Sequence, residues 1–258
     1  MRRGVIYACS HPDWIGETIR SAVSIAKHMP DIERHFFVPT TLLQQCREDL
    51  GQAFTKIVSL DRIAYQHRPR FESMLRLELD QAIFIDGDTL LLAPVYELFD
   101  ILDRFDIAAA IAPHLFHPKA VTGGVYELLP KVSRAIPEWN GGLLVAKRSD
   151  RFRQFVVSWD LLFQKCIKAG YPLDQASLRS ALATSDLRVA TLANIYNFRA
   201  NLEQAVRGNV RILHAHGDLP AIARTINATS ALRHYRPEQS LIHGFWPPRA
   251  RSDQIESI

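Results

Sequence analysis

Two carboxylates separated by one glycine, Asp86-Gly87-Asp88, follow directly on the apolar run Ala82-Ile83-Phe84-Ile85 and precede Thr89-Leu90-Leu91-Leu92. A hard divalent cation is the natural occupant of such a pair. In extended chain, residues i and i+2 point to one side, so both aspartates can converge on one ion, and Gly87 lets a ligand approach the backbone. The rival reading is a plain turn, since Asp and Gly are common turn formers. Its setting argues against that, because acids beside a buried strand are costly unless something compensates them. Further along, Val210-Arg211-Ile212-Leu213 ends in His214-Ala215-His216-Gly217-Asp218. His214 is either a satisfied imidazole at a strand end or a ligand, and the second histidine and the glycine favour a ligand site. His216 is expected to face away and to tolerate substitution. Asn140-Gly141-Gly142 can bring backbone amides to the surface of a site. Asp174-Gln175 opens a helix after Pro172, where Asp174 is either an N-cap, the role the sequence favours, or a site carboxylate.

These groups need a scaffold, and the apolar pattern supplies one. Gly4 to Cys9, His35 to Val38, Lys56 to Leu60, the run ending at Asp86, Asp106 to Ile111, Leu143 to Ala146, Leu187 to Leu192 and Val210 to Leu213 read as strands. Helices are expected between them. One starts at Asp13 with Ile15, Ile19, Ala22, Val23, Ala26 and Met29 on one face; others span about 42–50 and 70–79. Pro94 opens a helix carrying Leu98, Ile101, Leu102 and Phe105. A long helix capped by Ser149 or Asp150 carries Phe152, Phe155, Val156, Trp159, Leu162, Phe163 and Ile167, a stripe that suits a core. Strands alternating with helices predict an α/β fold, a mostly parallel central sheet with helices on both faces in a single domain. Residues 113–137 hold prolines and Gly123-Gly124 with little periodicity, as expected of a long loop or small lid. The domain is expected to span 1–232, with 233–258 a partly ordered tail.

At 258 residues, 47% hydrophobic and 22% charged, the chain is an ordinary globular protein that can bury a full core. Its formal charge of +4 allows an acidic ligand, but lysine and arginine are too dispersed to indicate nucleic acid. Cys9, Cys46 and Cys166 are odd in number and widely spaced, which points to reduced thiols and a cytoplasmic location. No apolar stretch reaches membrane length, so no transmembrane segment is expected, and peripheral membrane contact through the basic C-terminal end stays open.

Taken in order, Phe84-Ile85-Asp86-Gly87-Asp88-Thr89, Asn140-Gly141-Gly142, Asp174-Gln175 and His214-x-x-Gly217 resemble the metal-dependent GT-A glycosyltransferases, nearest to glycosyltransferase family eight. The resemblance covers roughly residues 4–225. It implies a nucleotide-diphospho-sugar donor, usually a UDP-sugar, an acceptor that the sequence does not identify, a divalent metal (Mn2+ or Mg2+) and retention of anomeric configuration. On this likeness Asp86, Asp88 and His214 hold the metal, Asp86 also touching the donor ribose. Ala8, Cys9 and Ser10 meet the nucleoside, Arg70 touches diphosphate or sugar, Asn140 to Gly142 face the donor sugar, and Asp174 and Gln175 lie on its reacting side. Two carboxylates and an imidazole leave room for two diphosphate oxygens, and the imidazole favours manganese over magnesium. The family's histidine motif continues as His-x-x-Gly-x-x-Lys-Pro-Trp, whereas Pro220, Ala221 and Ile222 stand in the last three places here. With the phosphate-binding lysine missing, a helix N-terminus near Gly217 is the expected substitute, with Arg224 nearby. Two other functions compete: a GT-A-like nucleotide-binding protein without turnover, and a haloacid-dehalogenase-type phosphatase, whose Asp-x-Asp-x-Thr motif differs in placing threonine one residue later.

Overall fold

A computed structural model describes residues 1–43, 50–61, 68–113 and 117–242. The strands β1 (Arg3–Ala8), β2 (Glu33–Pro39), β3 (Lys56–Leu60), β4 (Gln81–Ile85), β6 (Ile107–Ile111), β7 (Trp139–Lys147) and β8 (Val189–Leu192) form a seven-stranded sheet. Its order is β3-β2-β1-β4-β7-β6-β8. The first four of these strands pair in parallel, as do β6 and β8, while β7 runs antiparallel to both β4 and β6. The expected mostly parallel sheet is therefore present, with one reversed strand beside its centre.

All five residues of β4 are buried, and they alternate between two cores. Ala82 and Phe84 face the cluster built by Phe71, Trp159 and Phe163, whereas Ile83 and Ile85 face the one built by Ile25, Leu98 and Phe99. That alternation makes β4 a strand covered on both faces, and each aromatic side chain so buried is worth about 1.5–3 kcal/mol. Helices α1 (Ile15–His28), on one face, and α2 (Arg68–Leu75) and α3 (Asp150–Lys168), on the other, supply the cover. Ser149 caps α3 by accepting the Phe152 amide at 3.1 Å, and the expected aromatic stripe is core, with Phe71 edge-on to Trp159 at 4.9 Å.

Several local readings change. The buried face of α1 is Ile15, Thr18, Ser21, Ala22, Ser24 and Ile25, while Val23 is exposed. Polar residues fill that face because they serve a neighbouring edge: β5 (Thr89–Leu91) packs on α1, and Leu91 N donates to Ser24 Oγ at 3.0 Å. The helix after Pro94 is a single turn at Glu97–Asp100 followed by a 3-10 turn, and Phe105 is partly exposed. Residues 113–137 are packed rather than loose where they are described: Ala120, Val125 and Leu129 join the core, and Arg179 donates to the carbonyls of Ile136 and Ser133, each at 2.7 Å. The helix expected at 42–50 is helical at 40–43 and at Leu50, while 44–49, with Cys46, lie outside the described residues, as do 243–258. Residues 233–242 continue the fold, since Arg233–Tyr235 pairs antiparallel with Gln204–Val206 and Tyr235 Oη donates to Ala200 O at 2.9 Å.

Candidate active site

The two chemical stretches meet through a small second sheet. In it β11 (Ile212–His214) lies between β5, antiparallel, and the two-residue β9 (Phe198–Arg199), parallel. Its register places His214 opposite both Thr89 and Arg199. The Ala215 amide donates to Asp88 O at 3.0 Å, which ties the residue after the histidine to the second aspartate. Strand alternation sends Leu213 into a separate small core with Phe198 and Ile222, and turns Ile212 and His214 towards the main sheet.

Asp86, Asp88 and His214 then face one point, with one ligand atom from each lying within 4.8 Å of the others. His214 Nε2 is 3.2 Å from Asp88 Oδ1 and 3.8 Å from Asp86 Oδ2. His214 is 1% exposed and Asp88 9%. Burial pushes the Asp88 carboxyl up, but His214, His216 and Arg199 outweigh it and hold it well below the ordinary carboxylate range. The imidazole is oriented from behind by an amide chain. Asn140 Oδ1 accepts both the Gly142 amide and Asn197 Nδ2 at 2.9 Å, which leaves Asn197 Oδ1 to accept the His214 Nδ1 proton at 2.7 Å. That bond fixes the ring so that Nε2 faces the carboxylates.

Arg70 holds the acids on the other side. Its guanidinium donates to Asp86 Oδ1 and, at 2.5 Å, to Asp174 Oδ2. Burial would lower its pKa, but the two carboxylates raise it further. Asp174 stands at the N-cap position just before α4 (Gln175–Ala183), but its side chain makes no cap bond and pairs with Arg70 instead. Gln175 is buried beside it, and its Nε2 has no hydrogen-bond partner among the described residues.

The glycines have structural reasons that the sequence did not show. A Cβ on Gly87 would sit 2.1 Å from Thr18 Oγ1, so the Asp-Gly-Asp turn is pressed against α1. Gly141 and Gly142 lie inside β7 and not in a loop; a Cβ on Gly142 would be 2.0 Å from His214 Cε1, and one on Gly141 2.8 Å from Arg70 Nη1. Gly217 adopts φ 140°, and a Cβ there would strike Leu241 O at 2.2 Å.

A cleft of about 920 Å³, counting its open mouth, lies over these groups. Ala8, Cys9, Ser10, Arg70, Asp86, Gly87, Asp88 and His214 all line it, while Asn140, Gly141, Gly142, Asp174, Gln175 and Gly217 do not. Residues that the sequence reading passed over line it as well, among them Trp14, Glu17 and Arg199, and so does His216. His216 does not face away. Residues i and i+2 of an extended segment share a side, and its Nδ1 pairs with Glu17 Oε2 at 2.7 Å while Nε2 is 3.7 Å from Asp88 Oδ2. Burial alone would lower that imidazole's pKa, but Glu17 and Asp88 raise it above the usual value.

The helix expected to replace the missing lysine is occupied with its own capping. In α5 (Leu219–Ile226), Asp218 Oδ1 accepts the Ala221 amide, the Asp218 amide goes to Leu241 O, the Leu219 amide goes to Gly217 O, and Pro220 has none to give. Arg224 is exposed and outside the cleft.

A mostly parallel sheet whose fourth strand delivers an Asp-x-Asp pair into a cleft, answered by a histidine from an accessory sheet, defines the GT-A class of architecture. Comparison with known proteins bears this out at the level of the fold. No protein-family model matches the chain, and no curated protein matches it. Among solved structures, the galactosyltransferase LgtC in complex with donor and acceptor sugar analogues is similar at 13% identity and TM-score 0.56, over 82% of this chain and 86% of that one. Mouse xyloside xylosyltransferase 1 is similar at 12% identity and TM-score 0.56, over 83% and 98%. The glycosyltransferase GlyE of Streptococcus pneumoniae TIGR4 is similar at 17% identity and TM-score 0.53, over 83% of this chain and 55% of that one. The chain thus has the GT-A glycosyltransferase fold. No helix among the described residues is long and apolar enough to cross a membrane.

Proposed function

We propose that this chain is a metal-dependent glycosyltransferase that moves a hexose from a UDP-sugar to a glycan, lipid or small-molecule acceptor with retention of configuration. The observation that carries the reading is the convergence of Asp86, Asp88 and His214 at the cleft of a GT-A sheet. Their two carboxylates and one imidazole fit a divalent cation, manganese before magnesium, and Gly142 leaves the space that the His214 ring needs. A bound dication would neutralise charge on the departing diphosphate.

The protein's own part is to bind and orient. Ala8, Cys9 and Ser10 shape the nucleoside end of the cleft. Arg70 fixes Asp86 and Asp174 in one arrangement, so that the cation side and the sugar side of the site are held in register. Asp174, paired with Arg70, can stabilise positive character developing on the sugar ring, and Gln175 Nε2 has a hydrogen bond to give. The phosphatase reading finds no support in Thr89, whose hydroxyl is engaged by Asp86 O at 2.8 Å and Ser21 Oγ at 2.7 Å.

Calorimetric titration with UDP, with and without manganese, tests the reading beside a mass-spectrometric screen of UDP-hexoses for hydrolysis or transfer. Manganese-dependent binding that disappears in the folded double variant Asp86→Ala/Asp88→Ala is the expected result. Undiminished manganese dependence in that variant would overturn the site, and binding without any turnover would mark a non-catalytic relative.

A further inference from the structure

One cation inside the site has no place in the scheme above. Arg199 is 6% exposed, lines the cleft, and places Nη1 2.8 Å from His214 Nε2. The same Nη1 is 3.3 Å from Nδ1, so the guanidinium lies against the face of the imidazole and not along its lone pair. The guanidinium also acts electrostatically with Asp88 and Asp86. It is held in register rather than drifting there, since Arg199 is paired with His214 across β9 and β11.

We propose that Arg199 is the resident cation of this site: its fixed charge opposes a dication that enters alone, and it makes metal binding depend on the nucleotide's diphosphate. The inference rests on the metal-site reading above. Its logic is one of charge. Arg70 and Arg199 already place two fixed positive charges among Asp86, Asp88 and Asp174, so a lone dication enters against them. A diphosphate arriving with the metal removes that obstacle, because it neutralises the added charge and offers the guanidinium a fork of oxygens. The helix N-terminus after Gly217 cannot do that, its amides being spent on capping. Binding of metal and nucleotide is then synergistic, and by linkage each promotes the other equally.

The test is manganese affinity, measured by calorimetry on the full chain with and without UDP, in the wild type, Arg199→Gln and Arg199→Lys. Freed of that charge, Arg199→Gln should bind manganese alone about tenfold more tightly than the wild type, as removal of one nearby like charge predicts. UDP should then promote manganese binding less in the variant than in the wild type. Arg199→Lys, which keeps the charge and loses the planar fork, should fall between the two, and it decides the matter if the glutamine variant does not fold. Manganese affinity equal to or weaker than wild type in the folded variants would overturn the proposal. Should the wild type bind no manganese even with UDP, the transferase reading fails separately; uptake of manganese by Arg199→Gln would still support the resident cation, and no uptake would end both.

Discussion

Replacing Gly142 by alanine tests the link between sheet and site with a single methyl group. The added Cβ would lie 2.0 Å from His214 Cε1, 2.7 Å from Nδ1 and 2.8 Å from Asn140 Oδ1, distances that no packing tolerates. His214 cannot simply rotate away, because its ring is buried and held by Asn197 and Arg199. Strand β7 cannot shift freely either, since Gly142 O accepts the Asp86 amide at 3.0 Å. Overpacking of this kind costs about 1–3 kcal/mol and losing the Asn197 bond about 1 more, so a total near 3 kcal/mol is expected. In a domain of this size that lowers the melting temperature by roughly 6–12 °C. Manganese affinity should fall with it, because the ligand atom is displaced. Gly16→Ala is the control: nothing lies within 4 Å of its added methyl, and the residue sits in the first turn of α1, so the change should be neutral or stabilising by about 0.5–1 kcal/mol. Differential scanning calorimetry and manganese titration on both variants read the result. If Gly142→Ala melts within about 2 °C of the wild type and binds manganese unchanged, the contact between β7 and the histidine does not matter as argued.

Arg70→Met leaves Asp86 and Asp174 without the guanidinium they share and should cost about 3 kcal/mol in denaturant titrations, as breaking a largely buried ion pair does; adding Asp174→Asn to it should recover part of that loss, and no recovery would mean the arginine acts by packing. Burial pushes the Cys166 thiol up to about 11 from an ordinary 9.0, so iodoacetamide should label it in unfolded but not folded protein at neutral pH. The stability linked to that thiol is present below about 9 and is lost as pH rises through about 11; rapid labelling of the native state would contradict its placement.

What could be read from the sequence was what periodicity and abrupt change of polarity encode. Ala82 to Ile85 announces a strand covered on both faces and Asp86 its end, and the stripe from Phe152 to Phe163 announces a core helix. Ser21 and Ser24 were invisible as core because they are matched by partners on β5, far along the chain, and Thr18 because it packs against Gly87 in the turn before that strand. Asn197 precedes and Arg199 ends a two-residue strand, too short to carry any pattern, and Arg199 reaches the site through pairing with β11. The glycines at 141 and 142 were visible, but their cause was not: each makes room for a side chain, Arg70 or His214, that tertiary structure delivers. His216 was misplaced for a simpler reason, since the two-residue alternation that joins Asp86 to Asp88 equally joins His216 to His214.

The pairing of β5 with β11 has a consequence for how the protein is made. Synthesis proceeds from the N-terminus, and strands β1 to β7 can complete most of the sheet while β11 is still unmade. A chain stopped at that stage would have both aspartates and most of the walls of its cleft but no imidazole, and Asp88 O would lack the Ala215 amide that ties the turn. The partial product is therefore a fold without a site. Because His214 is the last of the three convergent groups to be synthesised, affinity for the dication would arise only when the C-terminal segments have docked, and it would report completion of the chain rather than collapse of the sheet.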